Sequence, residues 1–107
     1  MIRVAKLTEA AFQKQVIDAA HLFLWKVAHF RPAMTKDGRW VTPVAADGKG
    51  FPDLIIVRHR IVAAELKVGN NVPTEEQIEW LDRLRIAGVA TFIWYPEDWD
   101  KIMEVLR

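Results

Sequence analysis

Two carboxylates and an ammonium group lie at the ends of two short apolar runs, in a spacing that could bind a metal ion. Asp53 precedes the first run, residues 54–57, and the second run ends with Glu65 and Lys67. Both runs have the length of strands and are rich in aliphatic strand formers. Together they predict a β-hairpin whose connection is centred on His59.

This hairpin would place the two carboxylates opposite each other. Asp53 and Glu65 are each six residues from His59. Facing residues have Cβ atoms roughly 4.5–5.5 Å apart, and like charges at that distance destabilise the pair. Lys67 shares a face with Glu65 because strand side chains alternate. A cation between the carboxylates would remove the repulsion, which indicates a site for a hard divalent metal ion.

An ordinary structural explanation of these residues stays open. A Pro-Asp pair before a strand is a common turn element, and Glu-x-Lys on one face of a strand is often a solvated ion pair. The context favours the functional interpretation, because Gly50 lies two positions before the Pro-Asp pair and a helix follows the hairpin.

The segments before the hairpin predict a helix, a strand and a long irregular loop. Apolar residues recur at helical spacing over residues 8–24, with a threonine in position to cap the helix. Residues 25–31 predict the first strand. Residues 32–50 contain prolines, glycines and an Asp37-Gly38 turn signal, so they predict a functional loop that orders on binding or an insertion with no role.

The segments after the hairpin predict a second helix, a strand and a last helix. Thr74 and Gln77 match a capping box, and Gly88 fits the residue that ends the helix. Its buried stripe is predicted to be Ile78, Leu81 and Leu84. Residues 89–95 are apolar on both faces, which predicts a central strand. A helical crossover would make this strand parallel to the Glu-x-Lys strand.

Length and composition indicate a single soluble domain over residues 1–107. Hydrophobic residues make up 51% of the chain, enough for one modest core. The lack of cysteine excludes disulfides and thiolate metal ligands, and it is compatible with a reducing, cytoplasmic location. No apolar run has the length of a membrane span, and the N-terminus has no apolar signal region. Neither a membrane partner nor a small-molecule cofactor is expected.

The net charge of +1 conceals an uneven distribution. Residues 26–60 carry seven basic and three acidic side chains, whereas residues 73–107 carry four basic and eight acidic ones. A one-sided basic surface is the electrostatic footprint expected for a phosphate backbone, although ordinary surface charge is the alternative. The residues predicted to contact DNA are His29, Arg31, Lys36, Arg39 and Lys49.

Three motifs resemble those of the VRR-NUC (virus-type replication–repair nuclease) domain, a branch of the PD-(D/E)xK nuclease superfamily. They are Gly50-x-Pro52-Asp53, Glu65-Leu66-Lys67, and Pro73-Thr74-x-x-Gln77 with the helix that ends in Ala87-Gly88. The resemblance runs from about Thr8 to the end of the chain. It implies an α/β fold with a restriction-endonuclease-like core, in which helices flank a mixed β-sheet in αβββαβα order.

The resemblance also implies a metal centre. Asp53, Glu65 and the backbone carbonyl of Leu66 would bind Mg²⁺ or Mn²⁺, and Glu9 takes the position of a first-helix acid that reaches the metal. Lys67 would orient a water molecule or stabilise the transition state.

Gln77 matches a glutamine that contacts the metal-bound water or a phosphate in that family. Two of these residues have structural explanations as well. The helix dipole favours a carboxylate at Glu9, and the amide of Gln77 can cap its own helix.

The activity implied by the resemblance is metal-dependent hydrolysis of DNA phosphodiester bonds by a homodimeric endonuclease. Its substrate would be branched DNA, such as a four-way junction or a flap, in a phage or prophage setting within the bacterial cytoplasm. The main alternative is a catalytically inactive nuclease fold that binds DNA or supports assembly. A sequence-specific restriction-type endonuclease and an unrelated α/β interaction protein are further alternatives.

Overall fold

The computed structural model of the chain describes residues 7–30, 33–34, 36–41 and 45–107. The elements in chain order are α1 (Glu9–Leu22), β1 (Lys26–His29), β2 (Ala33–Met34), β3 (Trp40–Val41), β4 (Leu54–Val57), β5 (Ile61–Leu66), α2 (Glu75–Ile86), β6 (Ala90–Trp94) and α3 (Trp99–Leu106). The predicted α/β class and element order are confirmed. The structure adds the short β2–β3 hairpin around the Asp37-Gly38 turn. No helix among the described residues is long and apolar enough to span a bilayer.

Four strands form a mixed sheet in the order β1-β4-β5-β6. β4 is antiparallel to β1 and to β5, whereas β5 and β6 are parallel and connected through α2. In the β4–β5 hairpin, Leu54 pairs with Ala64 and Ile55 pairs with Ala63. This register confirms a connection centred on His59, and its continuation by one residue brings Asp53 opposite Glu65.

β6 lies at the edge of this sheet, so the prediction of a central strand is wrong. Both of its faces nevertheless contact other elements, although Ile93 stays 38% exposed. Phe92 and Trp94 pack with the main core, and Thr91 and Ile93 line a shallow groove with residues of α2. Apolar side chains reveal which faces of a strand are covered, but they carry no information on whether its backbone edge is paired.

The main core lies between the sheet and the helices α1 and α3. Its helical side chains include Phe12, Val16, Ala20, Ile102 and Leu106, and its strand side chains include Leu54, Ile56, Val62, Ala64 and Leu66. The strand residues alternate along β4 and β5, so the intervening side chains, Glu65 among them, point to the other face.

α2 lies over that second face and has fewer buried apolar side chains than α1 and α3. Leu81 is buried, but Ile78 is 45% exposed. The predicted stripe of Ile78, Leu81 and Leu84 is therefore only partly correct. The helix ends as predicted at Gly88, whose φ of +99° is the positive value that glycine favours at such a position. The N–H groups of Gly88 and Val89 bond to the carbonyls of Arg85 and Leu84.

Arg58 joins three elements at the hairpin connection. Its guanidinium donates to the carbonyl of Phe23 at 2.7 Å and to that of Arg107 at 2.9 Å, at the C-terminal ends of α1 and α3. It also lies 4.6 Å from the ring of Trp25, whose indole N–H donates to the carbonyl of Leu106 at 2.8 Å. Arg58 is one of the seven basic side chains of residues 26–60, and its contacts here stabilise the fold.

Candidate functional site

The carboxyl groups of Asp53 and Glu65 meet at the end of the sheet opposite Arg58. Asp53 Oδ2 accepts a hydrogen bond from the backbone N–H of Leu66 at 2.8 Å, which fixes its carboxylate beside β5. Glu65 is only 1% exposed, and its carboxyl group lies beside that of Asp53. The predicted pairing of the two acids is therefore present in the fold.

This contact has a strong effect on the protonation of Glu65. Burial, followed by the hydrogen bond to Asp53 and the negative charge of Asp53, raises the pKa of Glu65 to about 9. The nearby ammonium of Lys67 lowers the pKa, and the carboxylate of Glu9 raises it further. At neutral pH without a bound cation, Glu65 therefore carries a proton that it can share with Asp53.

Glu9 and Lys67 complete the group of charges at this end of the sheet. Partial burial and the charge of Asp53 raise the pKa of Glu9, while Lys67 lowers it. Glu9 reaches this position because α1 begins directly after Thr8, whose hydroxyl caps the helix by accepting from Ala11 N at 3.1 Å. The fold thus brings together the acids and the lysine named from the sequence.

Gln77 has the capping role considered from the sequence, and its amide also contacts Glu65. Its Oε1 accepts from the backbone N–H of Thr74 at 2.8 Å, and Thr74 Oγ1 accepts from Gln77 N at 3.2 Å, which completes the capping box. Its Nε2 donates to Glu65 Oε1 at 3.3 Å. The amide nitrogen of Gln77 therefore bonds to the buried carboxyl group of Glu65 itself.

The residues at this site fit a hard divalent cation such as Mg²⁺ or Mn²⁺. Glu65 Oε2 is buried and has no hydrogen-bond donor, so it needs either a proton shared with Asp53 or a cation. Among the described residues, no group of three histidine, cysteine or acidic side chains has the arrangement of a metal site. A metal ion here would therefore bind chiefly to two carboxylates, with backbone oxygen and water as the other ligands.

Leu66 can supply the backbone ligand. Its N–H points toward Asp53, and the N–H and C=O of one strand residue point to the same side. We therefore expect the Leu66 carbonyl to face the Asp53 side of β5, as the proposed ligand set requires.

The loop of residues 45–51 secures the start of α2 beside the site. Trp80 Nε1 donates to the carbonyl of Asp47 at 3.0 Å, and the Trp80 ring packs edge to face on Phe51 with centroids 5.0 Å apart. Gly50 has φ +87°, and a Cβ there would lie 2.7 Å from the Glu76 backbone and 2.9 Å from Gln77 N. The glycine of the Gly-x-Pro-Asp motif therefore lets the loop approach α2, whereas no sequence pattern identified Trp80 as its anchor.

The side chains predicted to contact DNA have varied surroundings. Arg31 lies outside the described residues. Lys36 is exposed, Arg39 pairs with Asp37 at 3.0 Å, and Lys49 pairs with Glu76 at 3.4 Å. His29 lies at the end of β1, beside Leu54, and is half-buried. Their contacts with DNA stay predictions.

The fold has a counterpart among solved structures. A chain described as a VRR_NUC domain superposes with a TM-score of 0.64 at 24% sequence identity, covering 90% of this chain and 94% of that chain. The sequence matches no protein-family model and no curated protein. The similarity is thus one of three-dimensional structure across nearly the whole length of both chains, and the protein has the fold of a VRR_NUC domain.

Proposed function

We propose that the protein is a metal-dependent nuclease that hydrolyses phosphodiester bonds in DNA. The observation that carries this proposal is the buried Glu65 carboxyl group, with an oxygen that lacks a donor, held against Asp53. A buried acid pair is destabilising unless a proton or a cation lies between its members. The VRR_NUC fold and the sequence motifs support the choice of a nuclease among the possible uses of such a pair.

Asp53, Glu65 and the Leu66 carbonyl would hold a Mg²⁺ or Mn²⁺ ion, with Glu9 as a further acid at its edge. A bound divalent ion lowers the pKa of a coordinated water and stabilises negative charge on phosphoryl oxygens. Asp53 is held in place by Leu66 N–H, so its orientation does not depend on the substrate. Glu65 must lose its proton for this role, and metal binding should therefore release a proton.

Lys67 would act on the reacting phosphate. It follows β5 directly, and its backbone N–H donates to the Trp94 carbonyl at 2.9 Å, which holds the residue at the end of the sheet. Its ammonium is close enough to act on Glu9 and Glu65. From there it can orient the attacking water or stabilise charge that develops on the phosphoryl oxygens.

The finer parts of the proposal rest on the resemblance to the VRR-NUC family. They are endonucleolytic cleavage of branched DNA, such as four-way junctions or flaps, action as a homodimer, and a phage or prophage setting in the bacterial cytoplasm. The exposed cations Lys36, Arg39 and Lys49, together with His29 and Arg31, are the proposed phosphate contacts. Lys49 and Arg39 would exchange their present carboxylate partners for phosphates.

Cleavage of labelled four-way-junction, flap and plain duplex DNA tests this function. The reactions contain Mg²⁺, Mn²⁺ or EDTA, and they compare the unmodified protein with the Asp53→Asn and Lys67→Met variants. We expect cleavage that needs the metal ion and is lost in both variants, with branched substrates cut fastest. Glu104→Gln, which changes an exposed acid on α3, is the matched control and should cut normally.

Two results would contradict the proposal in different ways. DNA binding without cleavage under any metal would favour the inactive DNA-binding module. Neither binding nor cleavage would leave the acid pair as a feature of the fold alone.

A further inference from the structure

We infer that the capping box of α2 is a positioning device for the proposed metal centre, in which Thr74 orients Gln77 and Gln77 orients Glu65. This inference rests on the proposed function, because it concerns how Glu65 is presented to a divalent cation. It assigns a role to Thr74, and it has Gln77 act through Glu65 instead of through the water or phosphate that the family resemblance implies.

The first step is the orientation of the Gln77 amide. An amide has one acceptor end and one donor end. The acceptor, Oε1, is held by the backbone N–H of Thr74 at 2.8 Å. The end of the amide that faces Glu65 must therefore be the NH₂ group. The helix cap excludes the flipped amide, which would present an oxygen to the carboxylate.

The second step is the difference in hydrogen bonding between the two oxygens of Glu65. Oε1 accepts from Gln77 Nε2 at 3.3 Å, whereas Oε2 is buried without a donor. A carboxylate with one oxygen already bonded can rotate only at the expense of that bond. Gln77 thereby determines which Glu65 oxygen remains for a cation, and it presents a single oxygen in a fixed direction.

The third step is the rigidity of the device. Thr74 also accepts from Gln77 N through Oγ1 at 3.2 Å, and its carbonyl accepts from Ile78 N at 3.0 Å. Gly50 packs against the same turn of helix. The first turn of α2 is thus fixed by its own cap on one side and by the 45–51 loop on the other, so the amide has little freedom to move.

Two substitutions at position 74 separate the orienting hydrogen bond from ordinary capping. Thr74→Ala and Thr74→Pro both remove the hydroxyl, but only proline also removes the N–H that holds Gln77 Oε1. The backbone allows this exchange, because Thr74 has φ −76° and ψ 167°, and the φ lies within the range that proline adopts. Thr74→Ala is therefore the matched control for Thr74→Pro, and Gln77→Met removes the whole device.

The measurement is Mn²⁺ affinity by titration calorimetry on the free protein, without DNA, at one pH and ionic strength. Partners of metal ligands typically change affinity by 10–100-fold. We expect Gln77→Met to weaken Mn²⁺ binding within that range, Thr74→Pro to weaken it by roughly tenfold, and Thr74→Ala to bind nearly as the unmodified protein does. Thermal unfolding of each variant confirms that it is folded.

Equal Mn²⁺ affinity in all four proteins would overturn the inference while leaving a metal-dependent function intact. Equal losses in Thr74→Ala and Thr74→Pro would also overturn it, because the loss would then come from the Thr74 hydroxyl and not from the N–H that holds Gln77 Oε1. If Thr74→Pro fails to fold, Gln77→Met alone decides, and normal affinity in that variant refutes the inference. Absence of Mn²⁺ binding by the unmodified protein is a separate result, which contradicts the proposed function and the inference with it.

Discussion

Replacing Glu65 by glutamine should make the metal-free protein more stable at alkaline pH. The folded-state pKa of Glu65 is raised to about 9 from 4.5, so between these values the folded chain holds one proton that the unfolded chain has lost. Stability that depends on this proton is fully present below the unfolded pKa and is lost as pH rises through the folded one. Glutamine mimics the protonated acid at every pH and removes this dependence.

The size of the effect follows from the proton count. One proton of difference corresponds to about 1.4 kcal/mol of unfolding free energy per pH unit. Between pH 6 and pH 8 the unmodified protein should therefore lose up to about 2.7 kcal/mol relative to Glu65→Gln. For a domain of this size that difference corresponds to roughly 10–20 °C in Tm.

The assay is urea unfolding across pH 5 to 9 in EDTA, on the unmodified protein, Glu65→Gln and the exposed-acid control Glu104→Gln. Comparison between the proteins cancels the titration of other groups, and the control should follow the unmodified protein. Addition of Mn²⁺ at pH 8 should stabilise the unmodified protein and leave Glu65→Gln nearly unchanged. Parallel pH profiles for the unmodified protein and Glu65→Gln would refute the idea that Glu65 is held protonated by burial against Asp53.

Further predictions concern the loop and the opposite end of the sheet. Gly50→Ala should lower stability by roughly 1–3 kcal/mol and weaken Mn²⁺ binding, because its Cβ would push on the first turn of α2. Gly38→Ala is its control in urea unfolding, since Gly38 has the same φ of +87° but no atom of the described residues within 4 Å of an added Cβ; equal losses would mean that backbone strain alone is responsible. Arg58→Ala should lower stability by about 2 kcal/mol while Mn²⁺ affinity in calorimetry stays unchanged, and Arg60→Ala, exposed in the same connection, should have little effect. A change in Mn²⁺ affinity for Arg58→Ala would show that the two ends of the sheet are coupled.

Local patterns were sufficient to predict much of this fold. The two apolar runs and their symmetric spacing about His59 gave the correct hairpin register, because side-chain alternation leaves few alternatives once one face must be buried. Thr74, Gln77 and Gly88 marked the ends of α2 correctly, because caps depend on groups within a few residues.

The features that could not be predicted depend on contacts between distant segments. The position of β6 at the sheet edge depends on which strand lies beside it, and its own apolar pattern is compatible with either position. The exposure of Ile78 depends on how much of α2 the sheet covers. Arg58 is one of the basic side chains counted over residues 26–60, yet its partners are carbonyls 35 and 49 positions away.

For the candidate site, the sequence singled out the acids, the lysine and the glutamine, but it did not predict the contacts between them. The hydrogen bond from Gln77 to Glu65 spans α2 and β5, so it becomes visible only when the two elements are packed together. The buried Glu65 oxygen without a donor is likewise a property of the packed structure. Sequence spacing can predict that two carboxylates lie close together. Their protonation cannot be predicted in this way, because it depends on how much water the surrounding elements exclude.

The bond between Trp25 and Leu106 has a consequence for how the protein is made. It joins residues 81 positions apart, and α3 is the last of the described elements to leave the ribosome. A nascent chain that ends after β5 contains the hairpin but lacks Ile102 and Leu106, which complete the core beneath it. It also lacks α2, and with it the cap that holds Glu65. Residues 81 positions apart can pair only after both have been synthesised, so we expect the acid pair to be assembled only once synthesis of the domain is complete.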